Sequence, residues 1–317
     1  MSPVRVVLTG ATGFIGGAVL RELARHRAAT GAVLRAVGRG PRPDGPAAAA
    51  DEWVSAELTE PDSLRGACEG ADVLLHLASA LGPDAARCEA VNAGGTAAVM
   101  AEAVRAGVGR IVHLSTAAVY GRGPHRGIGV DEIVPAPVSA ASRSRLLAER
   151  PAREAGACVL RPGLVLGRGD RWVVPALAEL VRRVPERWDG GRGLLSAVAV
   201  DDLARLIAAL ALAPGSGPAA GGVHHASHPR PVRNGELMDT LAAHAVLPAQ
   251  RGELDWPGCL ERLRATPGPV SERQFELLAR DHWYRSEEIW DVAHCDPGPG
   301  PLAAVADAAD WYRERLA

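Results

Sequence analysis

The segment TGATGFIGG, residues 9–17, constrains the fold of this 317-residue chain more than any other feature. It follows the apolar run VRVVL and precedes a helical pattern over residues 14–28. Glycines spaced three residues apart allow a strand to turn tightly into a helix that packs closely on it. The N-terminal amides of such a helix face outwards, where they bind phosphate groups. The segment therefore predicts the first strand, loop and helix of a dinucleotide-binding domain.

The glycines of this segment have different predicted roles. Gly10 permits the tight turn, Gly13 lets the backbone approach a pyrophosphate, and Gly16 lets the helix pack against the strand. The alternative is a tight strand-to-helix turn without a ligand, which the surrounding βαβ pattern disfavours. We expect cofactor contacts from Gly10, Thr12, Gly13, Phe14, Ile15 and Gly16.

Short apolar runs alternate with helical patterns along the first half of the chain. The runs VLRAV, DVLLHLA, RIVHLS and CVLRPGLVLG are continuous, which is typical of parallel strands buried on both faces. The predicted fold class is α/β, a Rossmann-type doubly wound parallel sheet with a smaller C-terminal substrate lobe. We assign residues 1–170 plus 197–228 to the dinucleotide-binding domain and residues 171–196 plus 229–317 to the lobe, with a linker at 214–222.

The composition limits the classes of partner. All 35 basic residues are arginine, the formal net charge is −2, and no basic stripe is present, so nucleic acid and anionic membranes are not expected partners. The five cysteines are scattered, which argues against a disulfide framework or a CxxC metal site. No apolar run reaches the ~20 residues that span a bilayer. We expect a cytoplasmic protein that acts on a small molecule and binds no metal.

The end of the second predicted strand indicates the type of nicotinamide cofactor. An NAD enzyme places Asp or Glu there to accept a hydrogen bond from the ribose 2′-hydroxyl, but this chain reads AVGRGPR. Arg39 stands at that position, with Arg42 as a possible second contact. A guanidinium binds a 2′-phosphate through charge-assisted hydrogen bonds, so NADPH/NADP is favoured over a solvated loop arginine.

Several further motifs carry a resemblance to a known family. They are ELTEPDSLRGACEGADVLLHLAS (57–79), VNAGGTAAVMAEAVRAGVGRIVHLSTAAVYG (91–121) and LRPGLVLGRGD (160–170), with looser matches at VAVDDLARLI and DWYRERL. Together with the GxxGxxG spacing, they make the chain similar to the extended short-chain dehydrogenase/reductases of the nucleotide-sugar epimerase/dehydratase group. This resemblance is specific for the fold and much less specific for the reaction. It also implies that Asn92 deforms the central helix.

The resemblance implies further cofactor contacts. Glu57 and Leu58 border the adenine. Leu77, Ala78 and Ser79 line the far side of the cofactor. The Pro-Gly loop within LRPGLVLGRGD flanks the nicotinamide, and its residues are Pro162, Gly163, Leu164 and Val165. The alternative for each of these residues is ordinary packing at a strand end.

In the resembling family, a Ser or Thr and a YxxxK motif carry out catalysis, and the tyrosine protonates the alkoxide. Thr116 takes the Ser/Thr position, with Ser115 beside it, but PVSAASRSR places Ala141 at the tyrosine position and Arg145 at the lysine position. None of the three tyrosines elsewhere is followed four residues later by Lys or Arg. We predict catalytic roles for Thr116, Ser115 and Arg145, with Arg145 also holding the nicotinamide ribose. An arginine is a poor acid at neutral pH.

Other candidate residues have simpler interpretations. His76 and His113 lie inside predicted strands, where hydrogen-bonded core histidines are more frequent than catalysts. In the HHxxH motif, strand alternation points His224 and His225 to opposite faces, which disfavours a zinc site. Four tryptophans of the lobe either line an aromatic substrate pocket or belong to its core, and these are Trp172, Trp188, Trp256 and Trp283.

Three functions are compatible with these observations. The first is an NADPH-dependent ketoreductase for an angucyclinone-like aromatic hydroxyketone of polyketide antibiotic biosynthesis, whose own phenol supplies the proton. The chain resembles, within the family, an angucyclinone ketoreductase that likewise lacks the tyrosine. The second is a catalytically inactive NADP-binding sensor or scaffold. The third is a nucleotide-sugar epimerase or dehydratase, which the missing tyrosine disfavours.

The oligomeric state is left open between monomer and homodimer. Family members pair through the central helix and the helix that carries YxxxK. In this chain Pro151 is expected to interrupt the second of these helices after about two turns. That interruption weakens the case for a dimer of the family type.

Overall fold

The computed structural model describes residues 3–214 and 221–317. The strands of this part of the chain are β1 (Arg5–Thr9), β2 (Val33–Gly38), β3 (Glu52–Ser55), β4 (Val73–His76), β5 (Arg110–Leu114), β6 (His125–Ile128), β7 (Cys158–Arg161), β8 (Leu164–Leu166), β9 (Arg187–Trp188), β10 (Leu194–Leu195), β11 (Ala197–Ala199), β12 (Gly222–His225), β13 (Val232–Arg233), β14 (Glu253–Leu254) and β15 (His282–Tyr284). The α-helices are α1 (Phe14–Thr30), α2 (Ala85–Cys88), α3 (Gly95–Arg105), α4 (Ala140–Glu154), α5 (Val173–Arg183), α6 (Val200–Leu212), α7 (Asn234–Ala243), α8 (Trp256–Ala265), α9 (Glu272–Ala279), α10 (Glu287–Val292), α11 (Pro301–Asp307) and α12 (Ala309–Leu316). Most of the predicted linker, residues 215–220, lies outside the described residues.

The large sheet has seven strands in the order β12-β7-β5-β4-β1-β2-β3, and every pairing is parallel. Every residue of β4 and β5 is buried, as the continuous apolar runs predicted. In the sheet, β1 lies between β2 and β4. The chain runs from β1 to β3 in one direction across the sheet and from β4 onwards in the other, so the strand order reverses between β1 and β4. Such a reversal opens a crevice at the carboxyl ends of the strands, where ligands bind.

Helices cover both faces of this sheet. On one face α1 and α6 pack against alternate strand residues such as Leu8, Leu75 and Val112. On the other face α3 and α4 pack against the intervening residues, including Val7 and Leu74. This alternation places neighbouring strand residues in opposite cores. The predicted doubly wound α/β fold is therefore confirmed.

The central helical stretch is not a uniform α-helix. Residues 89–94 form a π-helical segment between α2 and α3, and Asn92 lies inside it. The buried Asn92 amide accepts a hydrogen bond from the Ala80 N–H at 2.7 Å and donates to the Ala80 carbonyl and the Ser144 hydroxyl at 3.0 and 2.9 Å. The extra residue in the turn aims this amide at the loop after β4, so the predicted helix deformation is confirmed.

Between β3 and β4 the chain forms a single 3₁₀ turn at Pro61–Leu64, and Gly66 follows with a left-handed φ of +81°. The prediction that Pro151 interrupts its helix was wrong. Pro151 does not interrupt α4, which continues to Glu154. Pro151 lies close to the C-terminal end of the helix, where its missing N–H leaves only the Leu147 carbonyl without a helical donor. Because Leu147 lies on the exposed side of the helix, water can bond to this carbonyl instead.

The lobe has a hydrophobic core of its own, drawn from residues 166–197 and 232–312. Trp188 is fully buried there and packs edge-on against Phe275 at 4.8 Å between ring centroids. A four-stranded sheet in the order β13-β10-β15-β6 adjoins this core. Strand β6, which the predicted boundaries place in the dinucleotide-binding domain, therefore pairs with β15 of the lobe. No helix of the described residues has the length and apolarity needed to cross a membrane.

Several histidines are buried in the neutral form. Burial lowers the pKa of His76, His225 and His282 to about 4 in each case. His76 is hydrogen-bonded between Thr9 and Thr96 at 2.8 and 2.9 Å, as predicted for a core histidine. His113 stacks on His76 at 5.3 Å and is buried as expected, but its ring nitrogens have no partner among the described residues.

These buried histidines predict that the protein loses stability in mild acid. Above pH 6.5 they are neutral in both the folded and the unfolded chain, so the full free energy of unfolding is present. Below pH 6.5 the unfolded chain binds protons that the folded chain excludes until about pH 4, and each histidine lowers the free energy of unfolding by up to about 1.4 kcal/mol per pH unit. Urea unfolding at a series of pH values measures this slope.

The variant His282→Phe keeps a ring of similar size and is expected to show a shallower slope between pH 6.5 and pH 4. His294 is exposed, so His294→Phe serves as the control and is expected to keep the wild-type slope. An unchanged slope in His282→Phe would contradict the assignment of His282 as a buried neutral group.

Candidate active site

The glycine loop has the predicted backbone geometry. Gly10 adopts a left-handed φ of +78°, and a Cβ atom there would lie 2.7 Å from the Ala78 nitrogen. A Cβ atom on Gly16 would lie 2.1 Å from the Gly10 carbonyl oxygen, so the start of α1 packs directly on the turn. At Gly13 the nearest atom to such a Cβ is the same oxygen at 3.2 Å, and the residue is exposed. The roles predicted for Gly10 and Gly16 are confirmed, while Gly13 lies open on the side a ligand approaches.

The N-terminal end of α1 is suited to bind an anion. Gly13 caps the helix without a side-chain hydrogen bond, and the first turn contains no acidic residue. The amides and the helix dipole at this end therefore face no negative charge from the first turn itself. Thr12 is exposed beside it, and Phe14 packs against the loop at Gly169, where a Cβ atom would lie 2.8 Å from the Phe14 ring. The loop fits the pyrophosphate of a dinucleotide.

Arg39 extends from the end of β2 and is 71% exposed. Its Nε lies 3.8 Å from Glu57 Oε2, and an ion pair this exposed contributes little to stability and can exchange for another anion. Arg42 differs, because its guanidinium donates to the carbonyls of Ala48 and Ala50. Arg39 is therefore the available guanidinium at this end of the crevice, with Glu57 beside it. Leu58 packs next to them against Gly95.

The loops after β4, β5 and β7 meet at the same edge of the sheet. Leu77 is buried, Ala78 is half-buried against Gly10, and Ser79 is exposed. The carbonyl of Pro162 accepts a hydrogen bond from the Ala117 N–H at 2.8 Å, which joins the segment after β7 to the segment after β5.

The other residues of the segment 162–165 are held by contacts with Ser227, Ser196 and β11. The Gly163 N–H donates to the Ser227 hydroxyl at 2.9 Å, and the Leu164 N–H donates to the Ser196 carbonyl at 2.9 Å. A Cβ atom on Gly163 would lie 2.2 Å from that same carbonyl oxygen. Leu164 and Val165 are half-buried in β8, which pairs with β11. The structure thus brings most of the predicted cofactor residues to one crevice.

Thr116 and Ala141 lie where the crevice meets α4. Thr116 follows β5, is half-buried, and its Oγ1 accepts a hydrogen bond from the Ala118 N–H at 3.2 Å, which leaves its own proton free to donate. Ala141 lies in the first turn of α4 and is half-buried. That turn is fixed by Ser139 and Ser142, whose hydroxyls and backbone amides form a capping box, so these two hydroxyls are occupied in the cap.

Ser115 has a different environment from the one predicted. Its side chain is fully buried, and its hydroxyl donates to Glu149 Oε1 at 2.5 Å. Glu149 in turn receives two hydrogen bonds from the Arg161 guanidinium at 2.9 and 2.5 Å. Arg161 also donates to the Tyr120 hydroxyl at 2.8 Å, and that hydroxyl lies 2.7 Å from His225 Nε2. Ser115 therefore belongs to a buried network beneath the crevice, while Thr116 lies in it.

Arg145 lies one helical turn after Ala141. Its Nη2 donates to the carbonyls of Leu114 and Ser115 at 3.1 and 2.5 Å, which fixes the end of β5. Burial lowers the pKa of the guanidinium to about 10, and the Glu149 carboxylate opposes that shift. Arg145 therefore remains cationic at neutral pH.

The tyrosine hydroxyls of the described residues are all buried in other networks. Tyr120 is bonded as described above, Tyr284 lies 3.0 Å from His125 Nδ1, and Tyr312 accepts from the Gly167 N–H at 2.9 Å. Burial raises the pKa of each of the three phenols. None of these hydroxyls is therefore exposed in the crevice.

The remaining candidate residues separate into different environments. His224 bonds the Gly221 carbonyl, His225 bonds Tyr120 and the Arg285 carbonyl, and His228 bonds the backbone at Arg230. Within residues 3–214 and 221–317 no group of three His, Cys, Asp or Glu side chains is arranged to hold a metal. Of the lobe tryptophans, Trp188, Trp256 and Trp283 are buried or half-buried, while Trp172 is 60% exposed.

Sequence reasoning missed Glu149 and Arg161. Two signals were present in the sequence. Glu149 lies four residues after Arg145 and hence on the same helix face, and Arg161 is a charged residue at the end of the buried strand CVLR. A charged residue in a buried strand requires a partner of opposite charge. The existence of such an ion pair could therefore be inferred from the sequence, but its position in the fold could not.

Breaking this buried pair is expected to destabilise the fold. The side chains of Glu149 and Arg161 are only 4% and 6% exposed, and removing one charge leaves the other buried without compensation. We expect Glu149→Gln to lower the free energy of unfolding by about 3–5 kcal/mol, measured by urea denaturation.

The same helix provides a matched control. Arg150 forms an ion pair with Glu154, and both side chains are largely exposed. Arg150→Gln is expected to leave the free energy of unfolding within experimental error of the wild type. Equal effects from the two substitutions would contradict the structural role of the buried pair.

Comparison with known proteins agrees with this geometry. The sequence pattern of the NAD dependent epimerase/dehydratase family matches residues 6–223. A 2-alkyl-3-oxoalkanoate reductase of Stenotrophomonas maltophilia is 30% identical over 313 residues, covering 90% of this chain and 92% of that protein. A 4-hydroxy-2-methyl-3-oxo-4-farnesyl-3,4-dihydroquinoline-1-oxide ketoreductase of Stigmatella aurantiaca is 27% identical over 262 residues, covering 79% and 76%.

Solved structures share the fold at lower identity. The UDP-glucuronic acid 4-epimerase from Bacillus cereus, in complex with NAD, superposes with a TM-score of 0.72 at 16% identity and 99% coverage of both chains. The dTDP-glucose 4,6-dehydratase DesIV from Streptomyces venezuelae, with NAD bound, gives a TM-score of 0.74 at 20% identity and covers 98% of this chain and 97% of its own. The chain therefore belongs to the NAD dependent epimerase/dehydratase family, within the short-chain dehydrogenase/reductase superfamily of NAD(P)-dependent oxidoreductases and related enzymes.

Proposed function

We propose that this protein is an NADPH-dependent ketoreductase for an aromatic polyketide ketone that carries a hydroxyl group next to the carbonyl, as in angucyclinones. The observation that carries the proposal is the composition of the crevice at α4. A methyl group, Ala141, stands one turn before Arg145, and the tyrosine hydroxyls of the described chain are buried in other networks. The crevice can therefore bind and orient a ketone, but it has no phenol of its own to protonate the product.

Reduction of a ketone requires a proton as well as a hydride, so a crevice without a phenol needs another source of that proton. When bound, NADPH supplies a hydride to the carbonyl carbon, and the carbonyl electron pair moves onto oxygen. The alkoxide then needs a proton or hydrogen-bond donors. In an aryl ketone with an ortho or peri hydroxyl, the phenol is already hydrogen-bonded to the carbonyl oxygen. It passes its proton to the alkoxide, becomes a phenolate, and takes a proton from solvent after release.

The residues of the crevice assist this transfer without donating the proton. In this proposal Thr116, whose hydroxyl proton is not used by the bond from the Ala118 N–H, donates a hydrogen bond to the reacting oxygen. Arg145 is cationic and faces the end of β5, where it favours the developing negative charge and holds the cofactor ribose. Ser115 acts through Glu149, since it positions the backbone that carries Thr116.

The names of the relatives support this proposal. Two proteins that match most of the chain have names that contain a 3-oxo group together with the word reductase or ketoreductase. Neither substrate transfers directly to this chain, because fold and family do not fix the substrate. The epimerase alternative needs a base at the position of Ala141, which a methyl group does not provide.

NADPH is the proposed cofactor because of Arg39. Its guanidinium is exposed at the end of β2, where the ribose 2′ position of the cofactor is expected, and its Glu57 partner is 3.8 Å away. A 2′-phosphate replaces that loose contact with charge-assisted hydrogen bonds. A 2′-hydroxyl gives Arg39 no comparable partner.

The proton-donor proposal predicts a sharp difference between two substrates. The protein is expected to oxidise NADPH with a peri-hydroxy polycyclic ketone and to leave the corresponding O-methyl ether unreduced, because the ether has the same carbonyl but no transferable proton. Absorbance of NADPH and chromatography of the product measure both reactions. Equal rates would overturn the proposal, and inertness towards all ketones with intact NADPH binding would favour the sensor alternative.

The cofactor proposal predicts an effect confined to NADPH. Arg39→Gln is expected to raise the KM for NADPH by on the order of tenfold or more and to leave the KM for NADH unchanged. Arg21 is an exposed arginine of α1. Arg21→Gln removes the same charge from the surface and serves as the control, with no expected change in either KM. A parallel rise for NADPH and NADH in Arg39→Gln would exclude recognition of the 2′-phosphate.

A further inference from the structure

The loop after β2, which carries Arg39, packs on the side chain of Trp53. Trp53 lies in β3 opposite Ala36 of β2, and its half-buried indole extends along the sheet to the end of β2. There a Cβ atom on Gly38 would lie 2.6 Å from the Cη2 atom of the indole and 2.9 Å from its Cζ2 atom. The indole therefore occupies the space that a side chain at position 38 would fill.

The indole also forms a hydrogen bond to this loop. Its Nε1–H donates to the Gly40 carbonyl at 2.9 Å, so Trp53 contacts both the residue before Arg39 and the residue after it. Gly40 adopts a left-handed φ of +64°, which turns the chain away from β2 directly after Arg39. The bond to the indole therefore holds the loop in the direction in which it leaves the sheet.

The backbone before Arg39 is held by β3 as well. The Gly38 carbonyl accepts a hydrogen bond from the Ala56 N–H at 2.9 Å, which continues the pairing of β2 with β3. The carbonyls of the residues on both sides of Arg39 are therefore bonded, one to a backbone N–H and the other to the indole. The Arg39 side chain itself is 71% exposed, so its backbone is held while its guanidinium stays available.

The far end of the loop is held by different contacts. The Arg42 guanidinium donates to the carbonyls of Ala48 and Ala50, which joins the start of residues 42–50 to their end. The contacts of Trp53 act on the other part of the loop, the part that carries Arg39.

The conformation of the loop affects cofactor selectivity because ordering a loop costs free energy. An arginine whose backbone is already in place loses less conformational freedom on binding a phosphate than an arginine on an unrestrained loop. Hydrogen bonds from a guanidinium to a phosphate also require a defined direction of approach. The contacts of Trp53 meet both conditions at the end of β2, where the 2′-phosphate is expected.

We propose that Trp53 is a positioning residue that determines selectivity for NADPH over NADH by holding the backbone of Arg39. This inference rests on the proposed use of NADPH and adds a residue that acts on the cofactor through Arg39. Its effect is confined to the 2′-phosphate, because a 2′-hydroxyl gives Arg39 no comparable partner. Selectivity therefore depends on a side chain of β3 as well as on the arginine that follows β2.

Calorimetry with NADP and with NAD tests this role without any ketone. Trp53→Phe keeps an aromatic ring and removes the donor to the Gly40 carbonyl. We expect the Kd for NADP to rise about 2-fold to 10-fold, as for the loss of one hydrogen bond, and the Kd for NAD to stay unchanged. Trp188→Phe removes a comparable bond, from an indole to the Val184 carbonyl in the core of the lobe. This control is expected to leave the ratio of the two Kd values unchanged.

A double variant tests whether Trp53 acts through Arg39. In Arg39→Gln, the added substitution Trp53→Phe is expected to change the Kd for NADP no further, because the group that Trp53 positions is gone. An undiminished effect in that background would overturn the inference, as would equal weakening of NADP and NAD by Trp53→Phe alone. Gly38→Ala adds a Cβ atom 2.6 Å from the indole, so it tests the same contact if Trp53→Phe does not fold.

The same measurements separate failure of this inference from failure of the proposed function. A loss of affinity for NADP alone in Trp53→Phe supports the inference even if no ketone is reduced. An unchanged Kd for NADP in Trp53→Phe, when the wild-type protein prefers NADP to NAD, overturns this inference and leaves the proposed function intact. Equal Kd values for NADP and NAD in the wild-type protein overturn the inference together with the assignment of NADPH as the cofactor.

Discussion

The ion pair between Glu149 and Arg161 connects α4 to the carboxyl end of the large sheet. Glu149 belongs to α4, which carries Ala141 and Arg145, and Arg161 is the last residue of β7, which leads into the segment 162–165. The carboxylate also accepts the Ser115 hydroxyl, so the end of β5 is tied to the same group. A charge pair this buried gains little net stability over an apolar contact, but it permits only one arrangement of its partners. Its main effect is therefore to fix the position of α4 relative to the ends of the strands.

Much of the fold was open to prediction because it depends on local sequence. The turn at Gly10 and the close packing at Gly16 follow from the absence of a Cβ atom, and the parallel sheet follows from continuous apolar runs such as those of β4 and β5. The suitability of the N-terminal end of α1 for an anion was also predictable, since no acidic residue follows Gly13 in the first turn. These features require no knowledge of distant contacts.

The features that were missed depend on tertiary contacts. Ser115 and Thr116 are neighbours in sequence, but strand alternation sends the first side chain towards Glu149 and leaves the second at the crevice. Strand β6 pairs with β15, more than 150 residues away, so this pairing has no local signal in the sequence.

The replacement of lysine by arginine in α4 fits the proposed chemistry on electrostatic grounds. Burial disfavours the charged form of any base, and it lowers the pKa of the Arg145 guanidinium to about 10. A lysine starts from a lower pKa, about 10.4, so burial favours its uncharged form at a lower pH than it does for an arginine. A reaction that leaves a phenolate in the crevice needs a cation that stays charged at the working pH. In the proposed reaction Ala141 meets the other requirement, because its methyl group occupies less volume than a tyrosine side chain and carries no competing hydroxyl.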